Sequence, residues 1–571
     1  MSAFEPPVEE IRFALRTWAS LDAAADTEAI DAVVHAAGRF AAQVLGPLDA
    51  VGHREGSVLL ADASVRTPAG WSEAYAEFVK AGWNTVHFAA EIGGQGLPAP
   101  VSVAVAELFQ AANVAFSLAL MPFAGVVTLL QRFGTEDQKR RYLEPLVSGR
   151  WSATLAMTET HAGTDIGAVR TAAVEGPHGA TLRGQKCFIS YGDHGMSENI
   201  LHFVLARDPS GKPGAKGLSL YIVPKHLVAA DGALGARNDV RCTAVERKMG
   251  IHASPTTIMQ FGGESEGALG ERLGESCKGL EHMFVVLNRA RLNIGVFGLA
   301  SAERAWQAAH AYAKERVQGT DAQGRPTVIA NHPDVRRMLL DMRCGVDAIR
   351  AVAYHAAGVL AQVQDGADAA SREKAQRRLD FLTPIVKGWG TELALEVAST
   401  GVQVAGGMGY MDDSVAARCF LDARVHPIYE GTTGIQASDL ALRKVARGGG
   451  ESARELLAEV RAGWPAQLDA AGLADAADVV DEALAALEGA TAWVVQQAAT
   501  RPELVQATAV HYLAMWGSVL SAWLLTKAAA ADPERRARAR FAILHRLVRV
   551  QGLRRIVESG GACALAELPV M

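Results

Sequence analysis

The sequence predicts an α+β fold in four successive parts. These are a helical N-terminal domain (1–152), a middle β domain (153–275), a helical C-terminal domain (276–447) and an additional C-terminal helical domain (451–571). Three observations predict it. Ala-rich stretches with apolar residues at helical spacing fill the first 150 residues and return after Gly279. Between them, short β-rich runs alternate with Gly and Pro clusters. Finally, the triplet Gly448-Gly449-Gly450 reads as a linker before a last helical stretch.

In the first part, Glu28 to Val44 and Ser102 to Arg132 read as helical, punctuated by Pro6, Pro47 and Pro68. The β part carries the runs Cys187 to Ser190, Ile200 to Ala206, Leu218 to Val223 and Thr256 to Phe261, with Pro209 to Gly217 as a turn-rich separator. Leu292 to Arg316 is a helix candidate without proline, followed by a loop from Gly319 to Pro326. Asp334 to Gln362 and Arg372 to Gly401 supply two more long helices.

Beyond the linker, Asp532-Pro533 pairs an N-cap residue with proline at the first helical position. The helix it opens is basic, with Arg535, Arg536, Arg538, Arg540, Arg546 and Arg549. Because Phe541, Leu544, Leu547 and Val548 interleave at amphipathic spacing, a solvated or interface face is the better reading than a nucleic-acid arm.

Composition sets outer bounds. The 571 residues are 49% hydrophobic and 21% charged, which is ordinary globular material with ample core. A net charge of −6 gives no support for nucleic acid or an anionic membrane as partner. Six cysteines are scattered without Cys-x-x-Cys spacing, which fits a reducing, cytoplasmic setting with neither a disulfide framework nor a metal site. The N-terminus has acids at Glu5, Glu9 and Glu10 and no basic stretch, so no export signal is read. No run of about eighteen apolar residues occurs, so no membrane span is expected.

The segment Ile428-Tyr429-Glu430-Gly431-Thr432-Thr433-Gly434-Ile435-Gln436 carries the chemistry. A carbon acid α to a carbonyl needs a base held on a defined side, with no competing water. Gly431 tolerates unusual dihedrals and lets a ligand approach the backbone. Taken alone, one Glu among 62 acidic residues is most simply a solvated surface group. The surrounding pattern reverses that reading. Leu155-Ala156-Met157-Thr158-Glu159-Thr160-His161-Ala162-Gly163-Thr164-Asp165, Gly184-Gln185-Lys186-Cys187-Phe188-Ile189-Ser190, Lys248-Met249-Gly250-Ile251-His252-Ala253-Ser254 and Gln403-Val404-Ala405-Gly406-Gly407-Met408-Gly409-Tyr410 precede it in order. Together these five blocks resemble the signatures of the acyl-CoA dehydrogenase family.

The resemblance implies FAD as cofactor, an acyl-CoA thioester as substrate and an electron-transfer flavoprotein as acceptor. Glu430 is then the base that removes the α-proton, as hydride leaves the β-carbon for the flavin. Met157 and Thr158 are expected at the flavin's pyrimidine edge, and Phe188, Ile189 and Ser190 at its other side. Thr164 matches a residue that reaches towards CoA. Asn288 and Arg291 fall where the family contacts pantetheine, with Gly431 beside the substrate. Arg316 and His332 match residues that reach a neighbouring subunit's FAD. Gln403, Gly406 and Gly407 match the loop at its adenosine, and Thr432 and Thr433 are expected to offer hydroxyls to the cofactor. Without the family, Arg316 reads as a helix C-terminal cation favoured by the dipole.

Phe188 stands where the family has Trp, Pro333 where Gln is usual, and Gly434 where many members have Gln. The run from Gly434 to Leu440, the tetrad Tyr191-Gly192-Asp193-His194 and the extra domain resemble one branch. That branch contains 3-methylmercaptopropionyl-CoA and broad-range bacterial fatty acyl-CoA dehydrogenases. The expected reaction is therefore α,β-dehydrogenation of a short or medium acyl-CoA to the 2-enoyl-CoA, with 3-methylmercaptopropionyl-CoA a candidate. An oxidase using O₂ and a non-catalytic scaffold are the alternatives.

Rival motifs are weaker. Gly263-Glu264-Ser265-Glu266-Gly267 mimics a hydrolase nucleophile elbow but lacks the helix that must follow it. Gly94-Gln95-Gly96 mimics a dinucleotide fingerprint, though helices precede it. His426 lies four residues before Glu430, but Pro427 interrupts any helix that would pair them around a metal. Trp464, Trp493, Trp516 and Trp523 in the last part need an apolar surface to cover. That surface is expected to replace the packing of one dimer on another, leaving a homodimer.

Overall fold

The structure, a computed structural model, describes residues 4–21, 27–177 and 179–566, apart from the side chains of Leu287 and Asn288. The chain forms two compact units. One, the sheet unit, comprises Phe40–Pro98 and Asn113–Ala290; the other, the helical unit, comprises Met1–Arg39, Ala99–Ala112 and Arg291–Met571.

The sheet unit is built on β1 (Trp151–Ala156), β2 (Ala172–Gly176), β3 (Gly179–Ser190), β4 (Asn199–Arg207), β5 (Leu218–Pro224), β6 (Val240–Val245), β7 (Thr256–Phe261) and β8 (Ala268–Leu273). Its order is β6-β7-β3-β8-β5-β4-β1, with β2 pairing off this path to β3 and β4. β1 runs parallel to β4, with Trp151 opposite Asn199; the other neighbours along the path are antiparallel. All seven residues of β5 are buried, as are eight of the nine in β4. That explains why these strands read as continuous apolar runs and do not alternate: both faces are covered. Their inward residues join Leu182, Ile189 and Phe261 in one core.

The expected helix from Ser102 to Arg132 is three pieces, Ala99–Ala112, Val114–Ser117 and Phe123–Phe133. Asn113 breaks it by accepting a hydrogen bond from Phe116 N at 2.9 Å, a side-chain competitor for the helical ladder. Periodicity alone does not reveal such a break.

In the helical unit, Pro333–Asp365 packs against Ala99–Ala112, Ala369–Pro384, Gly390–Ala405 and Pro502–Ala531. The stretch read as one helix from Arg372 to Gly401 contains a π turn, Ile385–Trp389, directly after Pro384. Proline lacks an N–H and crowds the preceding turn, so the ladder slips there.

The last part packs onto these same helices. Trp464 and Trp516 are fully buried and Trp523 nearly so, while Trp493 is half-buried. Trp516 meets Phe381 edge to face at 4.8 Å, and Trp464 Nε1 donates to Thr526 Oγ1 at 3.0 Å. Pro502–Ala531 is long and apolar enough by composition to cross a membrane, which the sequence reading did not anticipate. Here it is a central helix, with most of its residues buried inside this unit.

Asp532 caps as expected, accepting from Glu534 N at 3.1 Å. The basic run behind it is segmented by a π turn at Ala542–Arg546, and its arginines meet acids of this unit. Arg535 pairs with Glu10 at 2.6 Å, Arg538 with Asp347 at 2.9 Å, Arg540 with Asp475 at 2.7 Å and Arg546 with Asp341 at 2.8 Å. The interface reading fits these pairs.

Candidate active site

After the Val415–Ala423 helix the chain runs through tight turns to Tyr429, then reverses at two left-handed residues, Glu430 (φ 54°) and Gly431 (φ 90°). For glutamate that conformation costs about 1–2 kcal/mol and persists only where surroundings enforce it. Two side chains do so. Gln436 Nε2 donates to the Glu430 carbonyl at 3.3 Å, and Lys387 Nζ donates to the Gly431 carbonyl at 2.5 Å. Thr432 Oγ1 then caps the Thr433–Ser438 helix by accepting from Ile435 N at 3.4 Å. Thr433 is buried, and its hydroxyl donates to Glu392 Oε1 at 2.6 Å, so it is committed to this turn.

The Glu430 side chain is half-buried. Burial pushes its carboxyl above the ordinary range, while the charges of Arg291 and Lys387 pull it back. Arg291 lies 3.9 Å from Asp439, which Arg443 approaches at 3.2 Å from the other side. His426 is not available as a metal ligand with Glu430. One ring nitrogen contacts Ser301 Oγ at 3.0 Å and the other Tyr429 Oη at 2.9 Å. Burial, with help from Lys387, lowers its pKa to about 3, so it stays neutral. Glu430 is thus a carboxylate with its affinity for a proton raised, a condition that favours general-base catalysis.

A second group of predicted residues gathers in the sheet unit. Cys187 N donates to the Thr158 carbonyl at 3.0 Å, which sets Met157 and Thr158 beside Phe188, Ile189 and Ser190 at the end of β3. Lys186 Nζ donates to Met157 O and pairs with Glu159, both at 2.9 Å, beneath that segment. Opposite Ile258 the register slips, and Phe188 takes a left-handed φ of 59° with 62% of its surface exposed. A bulge is a device for re-aiming a side chain. An exposed aromatic ring, held in a strained conformation between buried Cys187 and Ile189, is a platform for a planar apolar ligand. Thr164 is exposed in the turn beyond Glu159.

Arg316 and His332 come together around Gln318: Arg316 Nη2 donates to its side chain at 3.4 Å, and His332 Nε2 meets its carbonyl at 2.8 Å. Gln403, Gly406 and Gly407 are exposed at the end of the Gly390–Ala405 helix, with open space where Gly406 and Gly407 would carry a Cβ. The Asn288 side chain lies outside the described residues. Gly263 to Gly267 is the expected polar turn, with Ser265 Oγ donating to Asp239 at 2.9 Å and β8 following instead of a helix.

Family models cover nearly the whole chain. The acyl-CoA dehydrogenase N-terminal domain matches residues 27–150, the middle domain 154–263 and the C-terminal domain 278–444; an acetyl-CoA dehydrogenase C-terminal-like model matches 456–567. The chain is 39% identical over 546 residues to 3-methylmercaptopropionyl-CoA dehydrogenase of Ruegeria pomeroyi, spanning 93% of this chain and 92% of that protein. The chain belongs to the acyl-CoA dehydrogenase family. It is an oxidoreductase of that family with an additional helical domain.

Two solved structures share its fold. One is an acyl-CoA dehydrogenase complexed with FAD from Bacillus anthracis, with a TM-score of 0.75 and 21% identity, covering 95% of this chain and 89% of that one. The other is a chain from a study of the electron transferring flavoprotein of Acidaminococcus fermentans, with a TM-score of 0.59 and 26% identity, covering 73% of this chain and 98% of that one. The residues of the sheet unit fit a flavin: the exposed Phe188 ring and the pinned Met157-Thr158 segment suit a planar, apolar ring system.

Motif reading missed Lys387, Gln436 and Ser301. For Lys387 a signal was there, a lone charge within the apolar run Ile385-Val386-Lys387-Gly388-Trp389. Gln436 lies within the Ile428 to Gln436 segment, where no role was read for it, and Ser301 joins the site only through the fold.

Proposed function

We propose that this protein is an FAD-dependent acyl-CoA dehydrogenase that oxidises a short or medium acyl-CoA, with 3-methylmercaptopropionyl-CoA the leading candidate, to its 2-enoyl-CoA. The observation that carries the reaction is Glu430: a half-buried carboxylate on a left-handed turn, flanked by two cations and held through its own backbone. Glu430 takes the α-proton. Its backbone N–H, which meets no acceptor among the described residues, is free to donate to the thioester oxygen as charge develops there. One such donor is typically worth about 3–4 kcal/mol. FAD, when bound, supplies the hydride acceptor. Met157, Thr158, Phe188, Ile189 and Ser190 would hold its ring, while Gln403, Gly406, Gly407, Arg316 and His332 would reach the FAD of a neighbouring subunit at its adenosine end. Thr164, Asn288, Arg291 and Gly431 are the residues that the family resemblance assigns to the CoA ester.

The substrate rests on the 39%-identical relative and the acceptor, an electron-transfer flavoprotein, on the likeness to the Acidaminococcus chain. Six free thiols suit a cytoplasmic enzyme.

The test is anaerobic mixing of purified yellow protein with a panel of acyl-CoA esters, followed by turnover with an artificial electron acceptor. Bleaching by 3-methylmercaptopropionyl- or butyryl-CoA is expected, as is a loss of about 10²–10⁴-fold in Glu430→Gln with ester binding kept. Preference for palmitoyl-CoA would refute the chain length, and O₂ as the efficient acceptor would make it an oxidase. A colourless, inactive protein would leave a scaffold.

A further inference from the structure

Resting on the reading of Glu430 as the base, we infer that Lys387 is a positioning residue for it, fixing the turn that carries the carboxylate and placing a cation beside it. The π turn is what delivers it. Ile385–Trp389 inserts an extra residue into the ladder behind Pro384, and such turns recur at functional sites. Gly388, next to Lys387, has no room for a side chain: a Cβ there would sit 2.7 Å from Leu513 and 3.0 Å from Gln436. The turn is thus pressed onto Gln436, the residue that holds the preceding peptide.

Lys387 Nζ and Gln436 Nε2 grip the carbonyls of Gly431 and Glu430 respectively, at 2.5 and 3.3 Å. Both residues have positive φ, so releasing either carbonyl lets the turn relax to an ordinary conformation and swings the carboxylate away. A neutral donor would suffice for the grip. The charge has a further consequence, because it acts on Glu430 itself.

The charged and titratable groups around this pair are Arg291 on the Gly279–Glu315 helix, Glu392 on Gly390–Ala405, Asp439 and Arg443 beyond the base, and His426 and Tyr429 before it. His426 stays neutral, and burial holds Tyr429 protonated. Glu392 is engaged by Thr433, and Asp439 faces Arg291 and Arg443. That leaves Lys387 and Arg291 as the cations opposing the burial of Glu430. Burial brings the Lys387 ammonium down to about 8, against the pull of Glu430.

The experiment follows proton exchange at the acyl α-carbon and kcat/KM against pH, on FAD-loaded protein. Exchange is read by mass spectrometry of the ester in D₂O without an electron acceptor. Wild type, Lys387→Met, Lys387→Gln and Lys387→Arg are compared. Removing a nearby opposite charge raises a carboxyl pKa, so the acid limb of both profiles should move up by about one pH unit or more in the Met and Gln variants. In Lys387→Arg it should stay within a few tenths of wild type. Rates at the plateau should fall by about 10²-fold in Lys387→Met, as a misplaced base requires.

An unmoved limb in the neutral variants overturns the inference, as does an equal shift in Lys387→Arg. If neither neutral variant folds, the lysine is a requirement of the fold and the inference fails as well. Glu430→Gln run alongside separates the two readings. Exchange that survives in it removes Glu430 as the base. Exchange lost in it, with the limbs of the Lys387 variants unmoved, sinks only the role given to Lys387.

Discussion

Arg350 and Glu107 are fully buried and 243 residues apart in sequence, and Arg350 donates to one carboxylate oxygen of Glu107 through Nε at 2.9 Å and Nη2 at 2.6 Å. The same Nη2 reaches Glu303 at 2.8 Å, and Tyr354 donates to the other Glu107 oxygen at 2.7 Å. These buried charges tie the Ala99–Ala112 helix to the long helices of the helical unit, and Arg350 Nη1, which hydrogen-bonds to none of the described residues, lies 3.6 Å from Asp347. Replacing Arg350 by Leu leaves two carboxylates buried without it, and should cost about 3–5 kcal/mol. Denaturant unfolding measures this directly. A loss below 1 kcal/mol would mean that water reaches the acids and the pair is not a structural tie.

Stability in acid should report on Glu159. Burial opposes its charge, but Lys186 and the donors from Thr171 and Arg170 outweigh it and bring its pKa to about 2. Its folded value lies below the unfolded one, so the stabilisation is present above the ordinary Glu range near 4.5 and is lost as pH falls through about 2. Up to about 3 kcal/mol is involved. Glu159→Gln should remove that part of the pH slope between 5 and 2 and be less stable at neutrality. An unchanged slope would assign it to other carboxylates.

Gly431→Ala tests the turn. Its φ of 90° is strained for any other residue, and the new Cβ would sit 2.8 Å from Gln436 Nε2, one of the two clamps. A stability loss of about 1–2 kcal/mol is expected, with turnover down by about 10²-fold because the base shifts. Wild-type turnover in a folded variant would show that the carboxylate position does not depend on this peptide.

A homodimer is the expected assembly. Trp464, Trp516 and Trp523 are covered by helices of their own chain, so the additional domain spends its apolar face internally. The exposed Arg316 and half-buried His332 remain for a neighbour. Light scattering during size exclusion decides it. A mass near two chains fits; four chains would contradict the replacement of a dimer–dimer interface, and one chain the shared cofactor site.

The sequence by itself determined the order of helical and β parts, and it marked out the Glu430 turn and the segment around Phe188. Apolar periodicity and Gly placement are local properties, and family motifs concentrate where backbone meets ligand. It also prepared the pairing of the basic helix, since amphipathic spacing implies a packed face. Other features were decided only in three dimensions. Asn113 and Pro384 redirected helices through single hydrogen bonds gained or lost, too small a signal to appear in a periodic pattern. Thr433, read as a hydroxyl for the cofactor, is turned inward to Glu392 by the helix it begins. Lys387 reaches Gly431 across 44 residues of sequence, and His426 reaches Ser301 across 125. Such contacts come from helices pressed side by side, so the electrostatics that tune the base are a property of the packed unit and not of any segment of the chain.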